Sequence, residues 1–397
     1  MIQAQFQHNL EQVYSQMVAW RRYLHQHPEV SFHEIQTAEY IHRQLEALGL
    51  QVNKHIAGHG CTAIIEGAHS GPVIALRADI DALPIQDIKT TSYASQNSGV
   101  MHACGHDGHV AGLLGAAAML MQMKEQLHGK VKLIFQPAEE KSPGGAKPMI
   151  DEGVLDGVDV IYGVHLWSPL PYGQITTCPG AMMAIADQFE VTIRGKGGHG
   201  GLPHKAIDSV VIASHLVVNL QTITSRLIDP SKQAVLTIGL IQSGATSNVI
   251  ASECYMRGTV RVFDEETKQV IKQAMQQIAE HTCSMFGAQV DFRYMDGYPA
   301  VVNDNVEAAR VLRVAREQFG DEAVQIMQPT TVAEDFAYFL QEVPGSFIFV
   351  GAGNEEQGIV APHHHPAFDI DERALKHAAQ LFVSLVLDYQ REWKGSH

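Results

Sequence analysis

The sequence predicts an α/β protein in which a mixed sheet lying between helices is interrupted by a smaller, ferredoxin-like α+β domain. Three observations predict it. Strand-length apolar runs alternate with helical-period segments at both ends of the chain. Candidate metal-ligating side chains occur from 104 to 165 and again near 364, with none between, so one site built from both ends requires an insertion. From Asp187 onward the middle reads strand, helix, strand, strand, helix, strand. That βαββαβ order closes on one four-stranded sheet. The inserted domain is therefore placed at 184–296, and the catalytic domain at 1–183 with 297–397.

Apolar residues recur at helical spacing from Gln7 to His25 and from Glu34 to Leu48, where Gly49 closes the second helix. Cys61 to Glu66 and Val73 to Ala78 read as strands, the second running into Arg77-Ala78-Asp79-Ile80-Asp81-Ala82-Leu83-Pro84. Two aspartates at the C-terminal end of a buried strand stand where open α/β sheets bind ligands. The alanine-rich run Val110 to Met123 reads as a buried helix, with Met101-His102-Ala103-Cys104-Gly105-His106-Asp107-Gly108-His109 at its N-terminus. There the helix dipole should favour a thiolate at Cys104, and Gly105 lets the backbone turn so that Cys104 and His106 can face one ion.

The strand Lys130 to Phe135 ends in Gln136-Pro137-Ala138-Glu139-Glu140. Adjacent carboxylates leaving a buried strand are costly unless neutralised, and a metal with a water does this: one glutamate ligates while its neighbour serves as general base. The strand Val158 to Val164 ends in His165. In the middle, strands are expected at Gln188–Arg194, Gln233–Ile241, Cys254–Phe263 and Ala288–Met295, and helices at Lys205–Arg226 and Asp264–Phe286. The stretch Gly195-Lys196-Gly197-Gly198-His199-Gly200 matches the dinucleotide fingerprint in letters. Pro203 delays the helix, however, and no acidic residue stands about twenty positions on to bind a ribose. A glycine loop presenting His199 is the better reading. Ser346 to Gly351 is a further strand, followed by Pro362-His363-His364-His365-Pro366 and a last helix to about Trp393. One of the three histidines supplies a final ligand; spacing leaves open which.

With 45% hydrophobic and 18% charged residues, the chain of 397 residues has the composition of a globular protein with a large core. A net charge of −15 argues against nucleic acid as a partner and for small-molecule chemistry. No apolar run is long enough to span a membrane and Met1 to Arg22 lacks an apolar signal core. Five cysteines, an odd number without paired spacing, fit a reducing compartment, so a cytoplasmic protein is expected. A thiolate and imidazoles are borderline-to-soft donors that favour a transition metal over calcium or magnesium. Manganese, zinc, cobalt and nickel are not distinguished.

Arg77 to Leu83, Met101 to His109, Gln136 to Glu140, Gly163-Val164-His165, Gly195 to His204, Thr246-Ser247-Asn248-Val249-Ile250, Ala333-Glu334-Asp335-Phe336 and His364-His365-Pro366 follow one another over nearly the whole chain. In this order they resemble the aminoacylase and hippurate hydrolase metallopeptidases, the branch that includes plant auxin-conjugate hydrolases. The resemblance implies a di-zinc-peptidase-like catalytic domain and a role for the insertion as lid and dimerisation domain. It implies two divalent transition-metal ions per chain, held by Cys104, His106, Glu140, His165 and His364, with Glu139 as general base; the His-x-Pro pattern selects His364. By the same resemblance Asp81 orients a ligand imidazole, and His199 reaches a partner subunit's site in a homodimer to stabilise the oxyanion. Asn248 and Arg261 hold the substrate's carboxylate, although Ala251 replaces the usual proline after Asn-Val-Ile. The implied activity is hydrolysis of N-acyl-L-amino acids of the hippurate or N-acetyl kind. A dipeptidase or carboxypeptidase on the same scaffold, and a noncatalytic metal or ligand binder, are the alternatives.

Overall fold

The structure is a computed structural model that describes residues 2–396, with side chains from 6 to 394. It divides into two compact units. The first comprises the chain up to Met182, Val302–Gln328 and the chain from Asp335 on; the second comprises Met183–Val301 and Pro329–Glu334. Met183 and residues 297–301 and 329–334, expected with the first unit, thus belong to the second. Hydrogen bonds account for this: the Asp187 side chain accepts the Gly297 N–H at Oδ1, 2.8 Å, and the Val332 carbonyl accepts the Ala184 N–H at 3.0 Å.

The first unit is built on an eight-stranded mixed sheet. Its first six strands in the chain are β1 (Val52–Ile56), β2 (Gly60–Glu66), β3 (His69–Asp79), β4 (His128–Gln136), β5 (Val160–Pro171) and β6 (Ile175–Thr177). Spatial order is β1, β2, β4, β3, β5, Gly345–Gly353, β6, Val324–Ile326. From β4 through Gly345–Gly353 the neighbours run parallel, with Leu76 of β3 opposite Leu133 of β4 and Tyr162 of β5. Buried on both faces, the core of β3 reads Ile74-Ala75-Leu76, a continuous apolar run of the kind parallel sheets require.

Helices α1 (Ile2–Gln26), α2 (Ile35–Ala47) and α3 (His106–Gln122) precede or flank these strands. Every residue of α3 from His106 to Leu120 is buried, as suits a helix apolar on all sides. It packs against Met17 of α1 so closely that a Cβ on Gly115 would stand 2.2 Å from the Met17 sulfur. The helix starts four residues earlier than the sequence predicts, because Gly105, at φ +93°, makes the entry turn and brings His106 and His109 into the first turns. The strand β5 runs on to Pro171, so His165 stands within it and not at its end. The helix Asn305–Phe319 was not expected from periodicity; Asp304 caps it by accepting the N–H groups of Val306 and Glu307.

The second unit carries a four-stranded antiparallel sheet, ordered Ala234–Ser243, Glu253–Val262, Ile185–Arg194, Gln289–Met295. With helices Ser209–Thr222 and Glu265–Met285 this is the ferredoxin-like arrangement. Phe189, Val191 and Ile193, at period two, bury against Leu216, Leu220, Ile271 and Met275. Its first helix starts at Ser209 and not at Lys205, because Asp208 is the cap, accepting from Val210 and Val211. No helix of the described residues is long and apolar enough to cross a membrane.

Candidate active site

The parallel strands end where the candidate ligands gather. The turn after β4 carries Glu139 and Glu140, the turn after β3 carries Asp81, β5 carries His165, and the entry to α3 carries Cys104 and His106. Their donor atoms form two groups that share the thiol: Cys104 with His106 and His165, and Cys104 with Glu140 and His364. Glu139 joins a further group with His106 and Glu140.

Each imidazole has a defined donor face. His106 Nδ1 lies 2.9 Å from Asp81 O and His165 Nδ1 lies 3.0 Å from Leu166 O, so these nitrogens donate and each neutral ring keeps its lone pair on Nε2, the atom that could ligate. His165 Nε2 stands 3.5 Å from Cys104 Sγ. His106 Nε2 is buried without a hydrogen bond, at 3.7 Å from Asp79, 3.9 Å from Glu139 and 3.8 Å from Glu140. A buried nitrogen ringed by carboxylates too distant to bond directly is what a cation between them would satisfy.

The electrostatics agree. Burial pushes the Cys104 thiol well above its usual range, and Glu140, Glu139 and Asp79 push it further, so the helix terminus does not by itself produce the expected thiolate. Only positive charge among these carboxylates would offset their field. Burial opposes charge on His106, yet Asp79, Asp81 and Glu140 outweigh it and raise its pKa to about 10. Burial, with His109 and His363 nearby, holds His165 well below its ordinary value, so the ring is neutral, the form that could ligate. The residues thus fit a pair of divalent cations.

The three tandem histidines have three environments. His363 is stacked on Trp167 at 4.3 Å, its Nε2 accepting the Ser168 N–H at 3.2 Å. His364, at φ +63°, places Nε2 3.3 Å from Glu140 Oε1. His365 is exposed and accepts the Ala367 N–H within its turn.

Asp81 does more than face an imidazole. Its carboxylate accepts the Glu139 and Glu140 N–H groups, each at 3.0 Å, and the Ser31 hydroxyl at 2.7 Å. Sequence reasoning missed two further supports. His109 Nδ1 is bonded to Asp79 at 2.5 Å and its Nε2 accepts the Leu166 N–H at 2.8 Å. Both nitrogens are engaged, so His109 is no ligand despite its neighbours; its place one helical turn after His106 was the available signal. Asp335, fully buried, accepts from Arg77, Gln136, Gly145 and Ala146 and so fixes the end of β4. Only its place in a quoted motif pointed to it.

In the second unit, His199 lies on the strand Gly198–His199, paired with Val249–Ile250, and Gly200 donates to Asn248 O at 2.8 Å. His199 and Asn248 line one cavity of about 560 Å³. The Gly201 N–H bonds His199 Nδ1 at 3.0 Å, so the neutral ring carries its proton on Nε2 as a donor. Arg261 is not with them. It lies near the far end of the strand that begins at Glu253, eight residues or roughly 27 Å along. Its guanidinium bonds the neutral oxygens of Val260, Thr259 and Asp187. No helix follows the glycine stretch directly, as a dinucleotide site would need: a 3-10 turn occupies Pro203–Lys205.

Such a donor set at the strand ends of an α/β sheet belongs to a metal-dependent hydrolase of amide bonds. The chain is a member of peptidase family M20/M25/M40, whose pattern matches residues 75–388. It is 41% identical to the N-acetyl-L-cysteine deacetylase of Bacillus subtilis, over 98% of this chain and 92% of that protein. It is 37% identical to thermostable carboxypeptidase 2 of Saccharolobus solfataricus, over 97% and 98% respectively. Among solved structures, the B. subtilis YXEP protein, described as a dinuclear metal-binding peptidase of the M20 family, superimposes with a TM-score of 0.83 at 36% identity, covering 96% of this chain and 99% of that one.

Proposed function

We propose that the protein hydrolyses N-acyl-L-amino acids to a carboxylic acid and a free amino acid, in the cytoplasm and as a homodimer. The observation that carries the reading is the pair Glu139–Glu140, its two backbone N–H groups fixed by Asp81, beside a thiol and three imidazoles. Cys104, His106, Glu140, His165 and His364 would hold two divalent transition-metal ions. Bound there, the ions would supply Lewis-acid chemistry, polarising an amide carbonyl and lowering the pKa of a water towards about 7.

Glu139 takes a proton from that water as its oxygen adds to the amide carbon, then delivers it to the leaving nitrogen as the C–N bond breaks. His199 donates from Nε2 to the developing oxyanion. Asn248 and Arg261 hold the amino acid's carboxylate. Their separation within one copy of the second unit supports a dimer, in which His199 and Asn248 of one copy complete the site served by Arg261 of the other. Five unpaired, buried cysteines support the reducing compartment.

The test is release of free α-amine from N-acetyl, N-benzoyl and indole-acetyl amino acids and from dipeptides, before and after chelation and metal add-back. Chelator-sensitive cleavage of the acyl compounds is expected; preferential cleavage of dipeptides would favour the carboxypeptidase-like alternative, for which the S. solfataricus relative speaks. Glu139→Gln should lower kcat by roughly 10²–10⁴ while metal content stays. Loss of metal in that variant would contradict the assigned role.

A further inference from the structure

Glu34 is wholly buried and stands in none of the metal-ligating motifs. It occupies the N-cap of α2, where a short acidic side chain ordinarily bonds the helix's own N–H groups, yet it makes no such bond. The helix end is served otherwise: Glu29 Oε2 accepts the Thr37 N–H at 2.9 Å. Glu34 instead reaches across the fold, and its Oε1 accepts the Ala138 N–H at 2.8 Å.

Ala138 has φ +55°. An L-residue is strained in the left-handed region and persists there only where its surroundings fix it. The next two N–H groups, of Glu139 and Glu140, are those taken by Asp81. Three consecutive backbone donors are thus held by two buried carboxyl groups, Glu34 taking the first. The bend that turns the chain out of β4 and aims the paired glutamates is fixed from behind.

We infer that Glu34 is a positioning residue for the general base: by holding Ala138 in its left-handed turn it sets the direction in which Glu139 meets the reacting amide. The inference rests on Glu139 being that base. A displacement of about 1 Å at a reacting group can cost 10²-fold, so the effect should fall on turnover rather than on binding.

The test compares Glu34→Ala, Glu34→Gln and Glu34→Asp by kcat, KM, the pH profile of kcat and metal content. Glu34→Ala should lower kcat by roughly 10- to 100-fold, leave KM and metal content near wild type, and move the limb of the profile that reports Glu139. In Glu34→Gln the amide oxygen still accepts from Ala138 and most of kcat should return. Should Glu34→Ala not fold, Glu34→Asp, whose carboxyl is drawn back by one methylene, carries the same expectation. On a Glu139→Gln background Glu34→Ala should cost nothing further, because the group it positions is gone. Wild-type kcat in both shortened variants, an equal loss in Glu34→Gln, or a full additional loss on that background would overturn the inference. Full activity of Glu139→Gln alone would defeat the base assignment instead, whatever the Glu34 variants do.

Discussion

The two donor groups that share Cys104 are held by the fold in different ways. His106 and His165 are buried, each with its second nitrogen tied to a backbone carbonyl, and β5 beside His165 is held by His109 through Leu166. Glu140 and His364 stand on loops; Asp81 holds the Glu140 N–H and the Glu140 side chain is nearly buried, but the His364 side chain is 51% exposed and its backbone is left-handed, so the difference between the groups lies at His364. Preorganised donors bind without further ordering, whereas donors that must be gathered spend part of the binding energy on that order. Two ions at one active site should therefore differ in how tightly they are kept, the ion served by His364 being the more readily lost.

The largest test of this comparison is the residue both groups share. Cys104→Ala should strip both ions, and with them at least the roughly 10²–10⁴ that positioned proton transfer contributes. Elemental analysis of the purified variant decides it. Full metal content would mean that the thiol is not the bridge and that the two groups are independent.

Next come the unshared donors. His364→Ala should lose one ion on mild chelation and keep the other, while His165→Ala should weaken the buried ion, which then leaves no later than its neighbour. If both variants shed metal alike, the contrast between buried and exposed donors carries no energetic weight.

Protons should report the same contrast. Before loading, burial and the carboxylates keep the Cys104 thiol protonated, and Asp79 and Asp81 keep His106 charged up to about pH 10. The Glu140 contact raises His364 less steeply, while burial leaves His165 neutral. Raised groups bind protons that a cation must expel, so affinity should fall as pH falls, by roughly tenfold per pH unit for each proton displaced. Titrating metal into weakly buffered protein, the first equivalent should release about two protons, from Cys104 and His106, and the second fewer. Equal release in both steps would show that the two groups load together.

Much of this was legible in the sequence, and the reasons are specific. The buried strands and α3 announce themselves by apolar runs, and Cys104, His106 and Glu140 stand at or near the ends of elements that periodicity finds, while His165 lies inside β5, whose first half periodicity finds. The ferredoxin-like order of the middle follows from alternation alone. The supports were not legible, because a contact such as Glu34 to Ala138 spans 104 residues and leaves no local pattern. Polar side chains fully enclosed by tertiary structure, such as Asp335, look in sequence like any other acid. Within 362–366 three identical letters conceal a stacked ring, a candidate ligand and a turn residue, and only packing tells them apart.

The smallest effect tests whether support alone confers the advantage of the buried group. His109 touches no metal in the proposed arrangement; it accepts the Leu166 N–H, one residue beyond His165, and is itself held by Asp79. His109→Leu keeps the volume and removes the acceptor, leaving a buried N–H unsatisfied at about 1–3 kcal/mol. Loss of a group that holds a ligand in place weakens metal binding by roughly 10- to 100-fold. Competition with a graded series of chelators should show the buried ion weakened into the range of the exposed one, with the His364 ion unmoved. If the His364 ion weakens instead, the order of the buried group resides in its own carbonyl bonds, and the strand held by His109 serves the fold rather than the metal.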